Sequence, residues 1–143
     1  MANSLIVGGL KVGMNVAVAT PDGYKPDGAV LEFTKGYGDK FALEADPFMA
    51  ASGADILITD TWTSMGEEAE KEERKKIFKD YQINRQLLAA ANAGAMVQHC
   101  LPAYRGQEIT EEVFEEHADE IFNEAENRLH AQKAVMVKLM KKD

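Results

Sequence analysis

HCLPAYRG at 99–106 holds the only cysteine of the chain, Cys100, between His99 and a Leu101-Pro102 step, with Arg105 and Gly106 close behind. A thiol beside an imidazole suggests nucleophilic catalysis. Adjacent strand residues point to opposite faces, however, so His99 is badly placed to activate its neighbour. The plainer reading of Cys100 is a small buried hydrophobe, the usual state of an isolated cysteine. Metal binding needs several ligands at short spacing, and His99, His117 and His130 are scattered around one cysteine, so no metal is assigned.

Two further residues carry charge where charge needs a partner. The apolar run ADILITD at 54–60 ends in Asp60, whose carboxylate at the end of a buried strand requires a cation or a hydrogen-bond donor. The amino group of a ligand would serve, and so would a helix cap or a structural ion pair. Arg128 falls in the first turn of the expected terminal helix, where a cation opposes the dipole and calls for an anion; Glu124 or Glu126 could supply it. In DTWTSMG at 60–66, Ser64 and Gly66 suit an N-cap and the presentation of backbone N–H groups to a carboxylate, while Trp62 is either core or a pocket wall. Arg105 reads as a surface or salt-bridge residue. GGLKVG at 8–13 lacks the GxGxxG spacing and follows no strand, so no dinucleotide, and no other cofactor, is assigned.

Residues at the ends of strands become neighbours only if the strands lie side by side. Short apolar runs alternate here with helical patterns, the mark of an α/β fold with an open parallel sheet flanked by helices on both faces, doubly wound and Rossmann-like. In such sheets ligands bind beyond the carboxyl ends of the strands, so Asp60, Cys100 and the NEAENR segment at 123–128 should face one crevice. Strands are expected at 15–20, 41–45, 54–60 and 95–100, with EIFN at 120–123 as a last one. Helices are expected from about residue 3, capped by Asn3 or Ser4, then at 27–36, after Asp46-Pro47, over 67–81, after Thr110, and over 124–141 with Ala125, Leu129, Met136 and Met140 turned inward. On 67–81 the spacing offers Glu67–Lys71, Glu70–Arg74 and Glu72–Lys76 pairs on a solvated face. The pattern opens on a helix where a βα chain normally opens on a strand, so the sheet is expected to lack its first strand.

The chain has 143 residues, 45% of them hydrophobic and 28% charged, which fits one domain with a real core. A net charge of −8 argues against a nucleic-acid partner, and no apolar run approaches the ~18 residues of a membrane span. A single cysteine excludes an internal disulfide, and the N-terminus has no basic n-region, which together suggest a cytoplasmic protein.

DTWTSMG, HCLPAYRG and EAENRLHAQKAV at 124–135, with NSLIVGGLKVGM at 3–14 and ATPDGYKPD at 19–27, resemble the aspartate/ornithine carbamoyltransferase family, and within it the ornithine-binding domain of the ornithine carbamoyltransferases. The resemblance covers nearly the whole chain. It implies transfer of a carbamoyl group from carbamoyl phosphate to the δ-amine of L-ornithine, giving citrulline and phosphate in arginine metabolism. It further implies that Asp60, Ser64 and the Met65 backbone hold the amino-acid portion, that Cys100 with the Leu101 carbonyl orients the reacting groups, and that Arg128 meets carbamoyl phosphate. On this view Cys100 positions and polarises rather than forming a covalent bond. Family members that use aspartate carry proline at the Cys100 position, and those that use other amines alter the SMG loop, so ornithine is the implied substrate.

Full-length family members carry a carbamoyl-phosphate domain with an STRTR-type motif, and nothing similar occurs in these 143 residues, so residues 1–143 are expected to form one ornithine-binding domain that is inactive alone. An incomplete sheet could also drive self-association. Two other classes stay open at this point: a non-catalytic amino-acid-binding module and a subunit-interaction module.

Overall fold

The computed structural model describes residues 1–63 and 71–141. Helix α1 (Ala2–Lys11) leads into strand β1 (Val16–Ala19), helix α2 (Gly28–Thr34), a 3-10 segment (Lys35–Lys40), strand β2 (Phe41–Glu44) and helix α3 (Pro47–Ala51). Strand β3 (Ile56–Thr59), helix α4 (Lys71–Phe78), a 3-10 turn (Lys79–Tyr81), helix α5 (Arg85–Ala90), strand β4 (Met96–His99), helix α6 (Glu111–Glu116) and helix α7 (Ala118–Met140) complete the chain.

Both strand pairs are parallel, as the alternating pattern predicts, with Val16 opposite Phe41 in β1–β2 and Ile56 opposite Met96 in β3–β4. Among the described residues the four strands form two separate two-stranded sheets, not one continuous sheet. Among these residues β1 and β3 are each hydrogen-bonded to a strand on one side only.

Local chemistry explains most of the helix boundaries. Asp46 accepts a hydrogen bond from the Phe48 amide at 2.9 Å with Pro47 in the first helical position, so α3 starts where the sequence predicts. Thr110 Oγ1 likewise accepts from the Val113 amide at the head of α6. The start of α1 differs from expectation: Met1 occupies the N-cap position without a side-chain hydrogen bond. Asn3 is committed elsewhere, donating to Asp27 Oδ2 at 2.7 Å and accepting from the Asp27 amide at 3.1 Å, which ties α1 to the head of α2. Ile6 and Leu10, one turn apart on α1, are buried. Gly9 lets this helix approach β1, because a Cβ there would come within 2.9 Å of Val16 Cγ2.

The main core joins Leu57 and Val97 of the β3–β4 pair to Ala51, Ile83, Leu87, Ile109, Val113, Phe114 and Ile121. Each fully buried large aliphatic side chain in it contributes about 1.5–3 kcal/mol.

The EIFN segment at 120–123 is not a strand; it belongs to α7. The outer edge of β4 is covered by that helix. Glu120 Oε2 accepts from the Val97 amide at 2.8 Å, and the Glu124 carboxylate, one turn later, lies near enough to the His99 amide to feel its dipole. One amide of the edge strand thus finds a side-chain acceptor on α7, which covers the edge where a last strand was expected. Asp119 and Glu120 in the first turn suit the helix N-terminus.

The inward set expected on the last helix is corrected as well. Ile121 is buried, Ala125 is half-buried, and Leu129, Met136 and Met140 are exposed. On α4, Lys75 reaches Glu72 at 2.8 Å where a Glu72–Lys76 pair was expected. The expected pairs that use Glu67 and Glu70 lie outside the described residues.

Candidate active site

Asp60 and Cys100 are brought together by strand register. Thr59 pairs with His99 at the end of the β3–β4 ladder, so the next residue of each strand emerges side by side at the carboxyl edge. The Cys100 thiol donates to Asp60 Oδ1 at 3.4 Å. Asp60 Oδ1 also accepts from the Thr61 amide at 2.8 Å, which fixes the carboxylate against its own turn. Burial, followed by the neighbouring Asp60 charge and its hydrogen bond, pushes the Cys100 thiol up to about 11. At neutral pH it is therefore a protonated donor, not a thiolate nucleophile.

Arg128 completes the group from α7, donating from Nη1 to the Cys100 carbonyl at 3.0 Å. It lies in the middle of this helix, not in the first turn as expected, so the helix dipole does not decide its partner. Of its expected partners, Glu126 pairs with His130 at 2.9 Å. Burial raises the Glu124 carboxyl, and the His99 amide and the Arg128 charge oppose that shift.

Beyond Cys100 the chain makes a sharp turn. Leu101 has φ +58 and precedes a cis bond to Pro102. A left-handed conformation costs a leucine about 1–2 kcal/mol, so surrounding bonds must hold it. His99 and Glu108, both fully buried, do so. The Leu101 amide donates to His99 Nδ1 at 3.0 Å, leaving Nε2 to carry the ring proton and donate to Glu108 Oε1 at 3.1 Å. The same oxygen accepts from the Tyr104 amide at 2.6 Å. One carboxylate oxygen thus secures both ends of the turn that presents Cys100 and the Leu101 carbonyl.

Neither His99 nor Glu108 is marked by the sequence pattern as part of the site. A glutamate eight residues beyond Cys100 carries no local signature, and its partners become visible only when the loop is closed. The spacing of charges on 67–81 likewise assigns Lys71 to a solvated face. Its ammonium stands 5.0 Å from the centre of the Tyr104 ring and lines the same cleft as Arg128. Arg105 is a surface residue as expected, paired with Glu115 at 2.6 Å and stacked over Phe114.

These elements surround a cleft of about 310 Å³ lined by Asp60, Trp62, Cys100, Leu101, Lys71 and Arg128, among others. That volume suits a small polar molecule. One carboxylate, one thiol donor and two cations offer complementary contacts to an ammonium at one end and an anion at the other. Asp60, His99 and Cys100 bring one donor atom each within 4.8 Å of one another, but both imidazole nitrogens of His99 are already engaged, so this trio does not make a convincing metal site. Ser64 and Met65, the other expected site residues, lie outside the described residues.

Residues 1–139 match the family model described as aspartate/ornithine carbamoyltransferase, Asp/Orn binding domain. The chain belongs to this carbamoyltransferase family. The ornithine carbamoyltransferase of Gloeobacter violaceus is 55% identical over 144 residues, covering 98% of this chain and 46% of the relative. Among solved structures, the anabolic ornithine carbamoyltransferase of Campylobacter jejuni superposes with a TM-score of 0.91 at 43% identity, over 97% of this chain and 47% of that one. An acetylornithine transcarbamylase complexed with acetylcitrulline is more distant, with 26% identity and a TM-score of 0.80 over 99% of this chain and 45% of that one. The chain spans about half the length of these carbamoyltransferases. It carries the α/β architecture of their Asp/Orn binding domain, and no helix among its described residues is long and apolar enough to cross a membrane.

Proposed function

We propose that this chain is the ornithine-binding half of an ornithine carbamoyltransferase, an enzyme that converts carbamoyl phosphate and L-ornithine to citrulline and phosphate. The convergence of Asp60, the Cys100 thiol and Arg128 at one end of the β3–β4 pair carries this reading.

The chemistry assigns each residue a task. The amine of ornithine attacks the carbamoyl carbonyl as a neutral nucleophile, a negative charge develops on the carbonyl oxygen, and the C–O bond to phosphate breaks, the leaving phosphate taking up the proton that the attacking nitrogen gives up. Proximity and stabilisation of that charge dominate such a reaction. Asp60 receives the ammonium of the amino-acid portion, with Ser64 and the Met65 backbone taking the rest of it. Cys100, protonated at neutral pH, and the Leu101 carbonyl orient the reacting amine and carbonyl. Arg128 spends one N–H on the Cys100 carbonyl, and a guanidinium carries five such donors, so others serve the carbamoyl phosphate.

Residues 1–143 supply one side of this site. The remaining contacts to carbamoyl phosphate come from the portion of the enzyme corresponding to the other half of the relatives' length, so the 143 residues bind ornithine and do not turn over alone. The one-sided pairing of β1 and β3 supports self-association through a sheet edge as a second property of the isolated chain. The lone cysteine supports a cytoplasmic setting.

Calorimetric titration of the chain with L-ornithine, N-acetyl-L-ornithine and L-aspartate tests the substrate assignment. Saturable binding of ornithine in preference to the other two is expected, with loss of binding in Asp60→Asn. Preference for aspartate or for the acetylated amine would overturn it.

A further inference from the structure

We propose that Arg74, half-buried on the inner face of α4, is a positioning residue for the ornithine site: by gripping the Trp62 carbonyl while seated on the Tyr24 ring, it fixes the 60–63 turn and with it the carboxylate of Asp60. The inference rests on the reading of Asp60 as an ornithine ligand, and one arm of its test does not.

The geometry forms a closed brace. Arg74 Nη1 donates to the Trp62 carbonyl at 3.2 Å, and its guanidinium carbon lies 5.5 Å from the centre of the Tyr24 ring. Phe78, one turn along the same face of α4, meets both aromatics: its ring stacks on Trp62 with centroids 6.0 Å apart and packs edge-on to Tyr24 at 4.8 Å. The loop that carries Tyr24 is itself fixed, since Thr20 Oγ1 donates to the Tyr24 carbonyl at 2.7 Å. Trp62 is therefore held at its carbonyl by Arg74 and at its indole by Phe78, two residues after Asp60.

α4 has no buried residue, so core packing does not explain why it holds this arginine. The brace is what its inner face does. Lysine could reach the same carbonyl, but a single ammonium cannot combine a directed N–H with planar stacking on Tyr24 as a guanidinium does. The consequence reaches Cys100 through Asp60: a loosened turn moves the carboxylate away from the thiol that donates to it.

The test compares wild type with Arg74→Met and Arg74→Lys. Trp62 is the only tryptophan, so its emission reports the turn directly, and the pH profile of Cys100 alkylation reports the placement of Asp60; both are read without ligand. Arg74→Met is expected to shift Trp62 emission to the red, lower the apparent thiol pKa from about 11 towards the usual range, and weaken L-ornithine binding about tenfold, with Arg74→Lys intermediate in all three. Unchanged emission and an unchanged thiol profile in Arg74→Met would overturn the proposal, whatever ornithine does. Failure of wild type to bind ornithine would sink the functional reading alone, because the two ligand-free signals still decide the brace. Should Arg74→Met fail to fold, the same signals in Arg74→Lys decide it, and wild-type values there would overturn it.

Discussion

Cys100 donates to Asp60 across 3.4 Å although 40 residues separate them, because each is the first residue beyond paired strand ends, Thr59 and His99. The contact follows from parallel register, not from local sequence. It makes the carboxylate an acceptor and the thiol a donor, and this polarity governs the chemistry of the cleft.

The thiol should therefore titrate late. Alkylation of native Cys100 by iodoacetamide is expected to follow an apparent pKa of about 11, and Asp60→Asn should lower it by removing the adjacent negative charge while leaving an amide acceptor. The unfolded chain loses its thiol proton first as pH rises, so the stability contributed by this group declines between the ordinary cysteine value and 11. Chemical denaturation across that window checks the sign.

Strand ends and helix caps were legible in the sequence because their signals are local. ADILITD and AMVQHC are apolar runs that stop at polar residues, and Asp46 and Thr110 cap the helices that follow them. The fate of EIFN was not legible. Isoleucine and phenylalanine suit a strand, and only the Glu120 carboxylate on the Val97 amide and the burial of Ile121 in the core show what a helix does there instead. Ser64 and Met65 were expected from their motif, and Asp60, Cys100 and Arg128 from position and motif together. The support beneath them, His99 with Glu108 and Arg74 with Trp62, depends on contacts that no spacing rule encodes.

Glu108 should matter to stability as much as to the site. Glu108→Ala strands the fully buried His99 Nε2–H and frees the part-buried Tyr104 amide, and is expected to cost about 3 kcal/mol in urea denaturation. Glu108→Gln keeps a carbonyl acceptor for both donors and should cost less. Its amide nitrogen would take the place of Oε2, which has no hydrogen-bond partner among the described residues, so some loss persists.

Two aliphatic residues of α7 separate the observed packing from the pattern expected of its sequence. Ile121 is fully buried in the core while Leu129 is 58% exposed. Ile121→Ala should destabilise by about 2–5 kcal/mol, and Leu129→Ala by less than about 0.5 kcal/mol. Equal losses in thermal denaturation of the 143-residue chain would contradict this arrangement.

Citrulline formation from carbamoyl phosphate and L-ornithine tests the central claim most directly, measured for the 143-residue chain alone and after adding the other half of a full-length relative. No product is expected from the chain alone. Mixing should yield citrulline, and Arg128→Met should lower that rate about 100-fold. Turnover by the chain alone, or a mixed activity indifferent to Arg128→Met and Asp60→Asn, would contradict the account.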